Sequence, residues 1–515
     1  MWIYPEIKTL ADVPTYYAKQ KGGEKVFLLA DRSITYKEWE RESNRIANAL
    51  IERKIPRYSR ISFIGKNSEY FFYIWFGVMK AGQAFLPLNW RLAPAELAAV
   101  VKDAGIPLVF ATYEYKETIE KIKESCDHEF EVVFFNSEDR RSTALENWIG
   151  SVDDGRPQVN IQLEDTSIQL YTSGTTGMPK GVELTFGSHT FWFLKLDLEP
   201  SLSFWESDVM LFVAPNFHLL ALNYGMAALY NGSKLSVVPE VRIELMIEAI
   251  RRDKVSALAL APIMIESLLN APNRQPYDFD SLRFILYAGS SISPDLLARA
   301  VKEMKCDFLQ FYGSTESGGG FTLLPPEDHN KVEKLKSCGR ALPYVEIKTI
   351  DINGRETGVG KPGEVVARVP TIFKQYFKQP ELTAEVLKDG WYHTGDVAYR
   401  DEAGYYYIVD RTKDMIISGG ENIYSIEVEQ ALLKHSAVQN AAVIGVPHEK
   451  WGEAVKALVI LREGESATAD ELLTHCRSLI AGYKIPKSIE FVDSFPLSPA
   501  GKILKTALRK VHGSV

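Results

Sequence analysis

The stretch Tyr171-Thr-Ser-Gly-Thr-Thr-Gly-Met-Pro-Lys180-Gly181 decides how this chain is read. Directly after the apolar run Ile168 to Leu170 it gathers Gly174 and Gly177, the hydroxyl residues Thr172, Ser173, Thr175 and Thr176, and Lys180. Glycine lets backbone N–H groups approach phosphate oxygens, hydroxyls donate further bonds, and a lysine adds a compact cation. The stretch therefore reads as a phosphate loop at the end of a strand. It is not the GxxxxGK[ST] loop, because the glycine spacing differs and no Ser or Thr follows Lys180. The alternative is a flexible Gly/Ser/Thr surface connection.

Outward from this loop the chain is punctuated as βαβ units. Thr35-x-x-Glu38 reads as a capping box, after which Trp39, Ile46 and Leu50 recur on one helical face with Ser43 as the polar exception. Strand and helix patterns then alternate: Arg60 to Ile64 and Tyr70 to Lys80, Pro107 to Thr112 and Tyr115 to Ser125, then Glu131 to Phe135. Beyond the loop they return at Val209 to Ala214, Leu235 to Pro239, a helix over Ile243 to Arg252, Val255 to Ala261 and Phe284 to Tyr287. A helix over Pro294 to Met304 and a strand at Phe308 to Tyr312 complete the series. This alternation predicts mostly parallel sheet. From Gly339 to about Pro370, turns at Asn353-Gly354 and Pro362-Gly363 predict a hairpin-rich, barrel-like section. After Asp410-Arg411 a tail begins, with strands at Met415 to Ser418, Val438 to Ile444 and Lys456 to Leu461 and helices at Ser425 to Lys434 and Ala469 to Ile480. At roughly a hundred residues it can form its own small core.

Composition narrows the function classes. At 515 residues the chain is long enough for more than one domain, and its 46% hydrophobic content supplies a core. The net charge of −8 argues against a nucleic-acid binder that works by neutralising phosphates. Cys126, Cys306, Cys338 and Cys476 lie far apart, without the paired close spacing of a zinc site or the density of a secreted disulfide scaffold, so buried reduced thiols are expected. Tyr70 to Met79, the most apolar run, is about half a bilayer span, and Met1 to Leu10 lacks the pattern of a secretion signal. The expectation is a cytoplasmic protein without stable membrane insertion.

Further motifs follow in order: Gln310-Phe-Tyr-Gly-Ser-Thr315-Glu316, Tyr392-His-Thr-Gly395-Asp396, Asp410-Arg411-Thr-Lys413-Asp414, Gly419-Gly420-Glu-Asn-Ile423 and Pro496-Leu-Ser-Pro-Ala-Gly501-Lys502. With the TSGTTGxPKG loop they make the chain, over essentially its whole length, resemble the adenylate-forming superfamily of acyl-CoA synthetases, peptide-synthetase adenylation domains and firefly luciferase. The resemblance implies that Thr172 to Gly177 and Lys180 hold the ATP phosphates. It also assigns nucleotide contacts to Gly289, Gly313 and Thr315. Tyr312 has an aromatic face suited to stacking on adenine, and Glu316 an acceptor-only carboxylate for Mg²⁺, a hard cation that prefers oxygen ligands. By resemblance, Asp396, read as part of a Thr-Gly-Asp turn, and Arg411 hold the ribose. Lys413 matches the hinge about which a small C-terminal domain rotates, and Lys502 the catalytic lysine of adenylation. An ammonium there stabilises charge that grows as a carboxylate attacks the α-phosphate.

The acyl acceptor and the acid are read separately. No carrier segment follows Lys502, and Gly419-Gly420 with Trp451-Gly-Glu453 resembles the CoA-ligase branch, where small residues leave room for a pantetheine arm. In that branch the acid pocket lies among Phe217, His218, Asn223, Tyr224, Met264, Ala288, Gly289, Ser314, Gly318 and Gly319. The missing side chains of Gly318 to Gly320 suggest a cavity wide or long enough for a bulky acid. Met264, Leu222 and Phe217 suit a fatty chain, whereas Asn223 and Tyr224 suit ring substituents of a cinnamate-type acid. The chain departs from the usual family pattern at Phe186, Ala221, Tyr344 and Ser425, none of them a charged catalytic group.

The expectation is a two-domain α/β ligase. Residues 1–412 form an N-terminal domain of flavodoxin-like parallel sheets plus a small β-barrel, and residues 413–515 a mobile α+β domain carrying Lys502. ATP, CoA and Mg²⁺ are the cofactors and a carboxylic acid the substrate. The acid is a medium- or long-chain fatty acid or another bulky acid, or alternatively a hydroxycinnamate. The protein is expected to be a monomer or homodimer. A noncatalytic nucleotide-sensing protein and a carrier-loading or luciferase-like enzyme are the rival classes.

Overall fold

The computed structural model describes residues 4–136, 142–172, 179–275, 277–290, 292–418, 421–497 and 503–513, and the side chains of all of these except 421 and 422. Packing divides the chain into two compact units, Met1–Glu346 with Arg368–Tyr392, and Ile347–Ala367 with His393–Val515. The elements that carry site residues are, in chain order, β1 (Thr166–Thr172), β2 (Lys180–Thr185), α1 (Phe186–Asp197), α2 (Leu219–Tyr230), β3 (Asp307–Ser314), β4 (Gly319–Leu324) and β5 (Gln375–Tyr376). They continue with β6 (Trp391–Arg400), β7 (Tyr406–Arg411), α3 (Ser425–Leu433) and α4 (Lys505–His512).

In the first unit the predicted alternation gives two large sheets. One has seven strands, of which β1, Ala84–Pro87, Arg60–Ile64, Leu108–Thr112 and Glu131–Phe135 run parallel, while β2 and then β5 extend it antiparallel beyond β1. The other has nine strands. It is parallel from β3 through Phe284–Tyr287, Ala257–Leu260, Val209–Phe212 and Lys234–Val237 to Lys25–Leu28, with antiparallel strands at both edges. The strands Val209–Phe212, Ala257–Leu260 and Phe284–Tyr287 at its centre are buried at every position, as sheets covered on both faces require. The fold class is thus the expected mixed α/β with parallel sheets.

Local chemistry explains why the helices fall where they do. Thr35 accepts from the Glu38 N–H and closes the predicted capping box of Tyr36–Glu52, which buries Trp39, Ile46 and Leu50. Ser43, the polar exception, is there for a partner: the Nζ of fully buried Lys80 donates to Ser43 Oγ at 2.8 Å and to Asn44 Oδ1 at 2.7 Å. Lys80 ends the helix Glu69–Lys80, buried at all its positions because it is sandwiched rather than amphipathic. This is the most apolar run of the sequence, and no helix among the described residues is long and apolar enough to cross a membrane. All four cysteines are free; Cys338 and Cys476 are buried, while Cys126 and Cys306 are only partly so.

The second unit holds two sheets. In one, Glu346–Ile350, Gly363–Arg368 and β6 are successive neighbours, and β7 pairs antiparallel with β6. In the other, Glu421–Ile423, Ile416–Ser418, Gly452–Leu461 and Val438–His448 adjoin in that order, and Ser488–Phe491 lies parallel to Gly452–Leu461. Val428 and Leu432 of α3 and Leu472 and Cys476 of Ala469–Arg477 fill one side of its core. The boundary expected at 412/413 falls inside this unit, because β6, β7 and the barrel-like section pack with the tail. Compactness and mobility are different criteria, so the 413 division stays a statement about motion.

Candidate functional site

The first unit builds a cluster of candidate site residues from three separate stretches. Thr172 and Lys180 are cross-strand partners at the open end of the β1–β2 hairpin, so the loop between them starts and ends at one place. Ser173, Gly174, Thr175, Thr176 and Gly177, the loop's interior, lie outside the described residues. The hairpin is anchored from below by buried Glu183 on β2, which accepts from Gln375 Nε2 at 2.6 Å and Thr166 Oγ1 at 3.1 Å and pairs with Arg60.

The second stretch is the turn between β3 and β4, which carries Tyr312, Gly313, Ser314, Thr315 and Glu316. Gly318 N–H donates to Thr315 O at 3.0 Å, and Ser317 Oγ accepts from Ser314 N–H at 2.9 Å and donates to Gly319 O at 2.7 Å. Ser314 Oγ is also bonded to Tyr392 OH at 3.0 Å. Tyr312 is half-buried, edge-on to Phe321 at 4.9 Å. At Gly313 a Cβ would sit 2.1 Å from Gly319 O, so the close approach of β3 to β4 requires glycine there.

The third stretch, residues 371–376, carries no recognisable motif and ties the other two together. Thr371 Oγ1 donates to Ser317 O at 2.6 Å, Phe373 N–H to Glu316 O at 2.8 Å, and Tyr376 OH to Glu316 Oε1 at 2.9 Å. On its other side β5 pairs with β2, Tyr376 opposite Val182, and the Lys180 ammonium lies 5.3 Å from the centre of the Tyr376 ring. Burial and the Glu316 charge push the Tyr376 phenol well above its ordinary range, so it stays a donor. Glu316 is left with one oxygen fixed and, among the described residues, the other without a hydrogen bond, a donor set that suits a hard divalent cation. No cluster of three or more metal-ligating side chains occurs among the described residues.

The residues expected to line the acid pocket are only partly brought together. His218 occupies the N-cap position of α2, its ring tilted at 54° to that of Phe217 4.6 Å away, and Phe217 is in turn edge-on to Trp90. Asn223 and Tyr224 lie one turn further along α2, and Asn223 Nδ2 donates to Gly318 O at 2.9 Å. Met264 belongs to a different apolar cluster from Tyr224. Ala288 packs at the rim of the Tyr224 cluster, and Gly289 is exposed at φ +91°. The glycine run does not leave the room expected of it. Side chains at Gly318, Gly319 and Gly320 would meet Thr371 O at 2.0 Å, Asn223 Nδ2 at 2.5 Å and Phe311 at 2.2 Å, so these glycines permit close packing rather than open a cavity.

In the second unit, Asp396 and Arg411 are directly opposed across β6 and β7, with Arg411 Nε 3.1 Å from Asp396 Oδ1. Asp396 therefore sits in a strand rather than the expected turn; Gly395 at φ +70° gives the sequence its turn-like look. Asp410 is buried and accepts from the N–H of Ser425 and, at 3.0 Å, from its hydroxyl. Lys505 on α4 donates to Ser425 Oγ at 2.5 Å and pairs with Glu429 at 2.7 Å, and Arg509 pairs with Asp414 at 3.0 Å. Lys413 is exposed, and partial desolvation and the neighbouring Arg411 charge lower its pKa. Trp451 stacks on His448 at 4.2 Å, with Lys487 and Lys450 4.8 and 5.6 Å from its ring centre. Gly419, Gly420 and Lys502 lie outside the described residues.

Known proteins resemble this chain in sequence and in fold. The family model for AMP-binding enzymes matches residues 15–377, and that for their C-terminal domain residues 427–502. The chain is similar to a fatty acid–[acyl-carrier-protein] ligase, ScoC, of Streptomyces coeruleorubidus, 34% identical with 98% of this chain and 97% of the relative covered. It is 34% identical to a feruloyl-CoA synthase of an Amycolatopsis species, with 93% and 94% covered. Among solved structures, o-succinylbenzoate CoA synthetase from Bacillus subtilis, in complex with its acyl-adenylate intermediate, superposes with a TM-score of 0.85 at 28% identity, covering 96% of this chain and 97% of that one.

Proposed function

The chain belongs to the AMP-binding enzyme family, within the adenylate-forming superfamily, and on that premise we propose that it is an ATP-dependent carboxylic acid:CoA ligase releasing AMP and pyrophosphate. The observation that carries this reading is the meeting of Lys180 and Glu316 at Tyr376, which sets a cation and a carboxylate, one of whose oxygens has no hydrogen bond among the described residues, near Thr172 where the loop begins. A carboxylate oxygen attacks the α-phosphorus and pyrophosphate leaves; the CoA thiol then attacks the acyl carbonyl and AMP leaves. Lys180 and Thr172 bind phosphate oxygens through charge and hydroxyl donation. Glu316 would hold Mg²⁺, which supplies charge neutralisation on the phosphates when bound. Tyr312 takes the adenine, with Gly289, Gly313 and Thr315 beside it, and the opposed pair Asp396 and Arg411 takes the ribose hydroxyls. Lys502 supplies the ammonium that stabilises the charge on the α-phosphate, and Lys413 is the hinge by which residues 413–515 move between the two half-reactions. The protein acts in the cytoplasm as a monomer or homodimer, without nucleic acid or stable membrane insertion.

CoA as acceptor is supported by the Trp451–His448 stack with Lys450 and Lys487 around it, an aromatic face with cations suited to a phosphorylated adenosine. The similarity to a fatty acid–[acyl-carrier-protein] ligase favours a carrier protein as the second reading of the acceptor. The acid is a medium- or long-chain fatty acid or another bulky acid; the polar residues Asn223 and Tyr224 favour a hydroxycinnamate as the second reading. AMP release with CoA, measured across acids of graded chain length and across ring-substituted cinnamates, tests the proposal. AMP formed in step with loss of free thiol supports it. No AMP with any acid, or thiol consumption only when a carrier protein is supplied, contradicts it.

A further inference from the structure

Tyr287, Gln310 and His329 form a polar row inside an otherwise apolar part of the nine-stranded sheet. Tyr287 ends the strand Phe284–Tyr287 and stands opposite Gln310 of β3, which in turn stands opposite Leu324, the last residue of β4. His329 follows the short turn Pro326–Asp328 that leaves β4 and brings the chain back against this row. Tyr287 OH lies 3.1 Å from His329 Nε2 and 3.3 Å from the Gln310 side-chain oxygen, and His329 Nδ1 lies 2.9 Å from Pro325 O. Tyr287 and His329 are 0 and 5% exposed.

Counting hydrogens assigns the bonds. A carbonyl only accepts, so His329 Nδ1 carries the hydrogen that goes to Pro325 O, and Nε2 of the neutral ring is an acceptor. The phenol has a single hydrogen and gives it to that nitrogen, the nearer of its two partners. A continuous chain of bonds thus ties the end of the strand Phe284–Tyr287 to the residue that follows β4, with β3 between them. The neighbours of Tyr287 in its cluster, Leu260, Ile285 and Phe308 among them, are apolar. Phe and Leu at positions 287 and 329 would suit those surroundings without desolvating any polar group, so burial alone does not account for the pair. Fully satisfied buried bonds add rigidity, and here they set three strands at one level.

At this level the sheet ends and the proposed nucleotide site begins. Ala288 and Gly289 follow Tyr287 directly, and Tyr312 stands two residues beyond Gln310 on β3. Stacking on an aromatic ring accepts any base, so telling adenine from guanine depends on where the backbone at 288–289 stands relative to the Tyr312 ring. Such sites work when their parts are held to within about half an ångström. From this geometry we infer that Tyr287 and His329 are positioning residues for base selection, locking the strand ends from which Gly289 and Tyr312 extend. The inference rests on the ligase reading above and on its placement of adenine at Tyr312 beside Gly289.

The test is kcat/KM for ATP and for GTP, read as AMP or GMP release with CoA and the preferred acid, in wild type, Tyr287→Phe, His329→Leu and His329→Gln. Wild type is expected to prefer ATP. Tyr287→Phe and His329→Leu should each lower the ATP-to-GTP ratio by about three- to tenfold, the scale of one lost hydrogen bond, while the KM for the acid stays within about twofold. His329→Gln, which keeps an acceptor for the phenol, should retain most of the preference. Tyr287→Phe keeps the ring and decides alone if His329→Leu fails to fold. An ATP-to-GTP ratio unmoved in Tyr287→Phe, whatever happens to its thermal midpoint, assigns the row to stability only and overturns the inference, as does a wild type that uses GTP as readily as ATP. Either result leaves the ligase reading intact. Absence of AMP release by wild type with every acid removes the ligase reading and the inference with it.

Discussion

Tyr376 donates its hydroxyl proton to Glu316 Oε1 at 2.9 Å, sixty residues apart in sequence, while its backbone pairs with the strand that begins at Lys180. The bond selects one rotamer of a carboxylate at the tip of a turn, where a side chain is otherwise free to swing. Such outer partners of a metal-binding carboxylate fix its direction and its affinity.

Tyr376→Phe should therefore weaken Mg²⁺ dependence before it weakens anything else. The Mg²⁺ concentration for half-maximal activity is expected to rise by about tenfold, in line with the loss of other outer partners of metal ligands. Saturating Mg²⁺ should restore most of the rate. A variant whose rate falls equally at all Mg²⁺ concentrations contradicts this positioning role.

Asp396 and Arg411 predict a sugar-specific defect. Asp396→Ala leaves Arg411 without the carboxylate 3.1 Å from its Nε and removes the acceptor proposed for the ribose hydroxyls. The KM for ATP should rise by about ten- to a hundredfold, consistent with loss of one or two charge-assisted bonds, while the KM for the acid stays within about twofold. The discrimination of wild type against a deoxyribose analogue of ATP should shrink in the variant. Equal shifts in both KM values would point to general misfolding instead.

Lys505 is expected to matter for stability more than its distance from any motif suggests. Its ammonium neutralises Glu429, whose pKa burial raises, and bonds Ser425, which in turn holds Asp410. Lys505→Met strands Glu429 in a buried position and should lower unfolding free energy by about 3–5 kcal/mol, measured by urea titration. Pairing it with Glu429→Gln should recover part of the loss, since position 429 then carries no charge to strand, while Asp410 still lacks the Lys505 cation. A loss below about 1 kcal/mol would contradict the reading of a buried network.

Two histidines set an acid limb on stability. Burial alone pushes His189 down to about 4, and burial chiefly pushes His329 down to about 4, from an ordinary value of 6.5. His189 Nδ1 is bonded to Ser167 Oγ at 3.0 Å, and His329 Nε2 to Tyr287 OH at 3.1 Å. Between pH 6.5 and 4 the unfolded chain binds more protons than the folded one at these sites, so their contribution is full above about 6.5 and declines as pH falls. His189→Met should reduce the pH slope of unfolding free energy in this window by up to about one proton. An unchanged slope would show that His189 takes up its proton equally in the folded and unfolded states and contradict its burial-lowered pKa.

What the sequence made legible follows the range over which each signal acts. The helix Pro294–Met304 was readable end to end because Ser293 caps it through the Leu296 N–H and proline occupies its first position, both local devices. Phe284–Tyr287 was readable because an inner parallel strand is a short apolar run between turns, and Glu131–Phe135, at the edge of its sheet, because Val132 to Phe135 still form such a run. Tyr376 was not, since its role depends on a strand pairing with Val182 and a bond to Glu316, neither visible in the residues 371–376. Gly318 to Gly320 misled for the same reason: sequence registers an absent side chain, but only packing tells that Thr371, Asn223 and Phe311 already fill the space. Lys195 falls in no motif, and the bond of its ammonium to Gly320 O emerges only against β4. At Tyr344, where the family usually has glycine, the backbone keeps φ +60° with the side chain exposed, so the turn survives at the cost of strain.

The most direct measurement of the central claim follows an oxygen atom. With the preferred acid labelled with ¹⁸O in both carboxylate oxygens, unlabelled MgATP and CoA, attack on the α-phosphorus followed by thiol attack on the carbonyl transfers one labelled oxygen to AMP and leaves one in the thioester. Mass spectrometry is predicted to find one ¹⁸O per AMP and none in pyrophosphate. Label in orthophosphate beside ADP, or AMP free of label, would contradict the acyl-adenylate route.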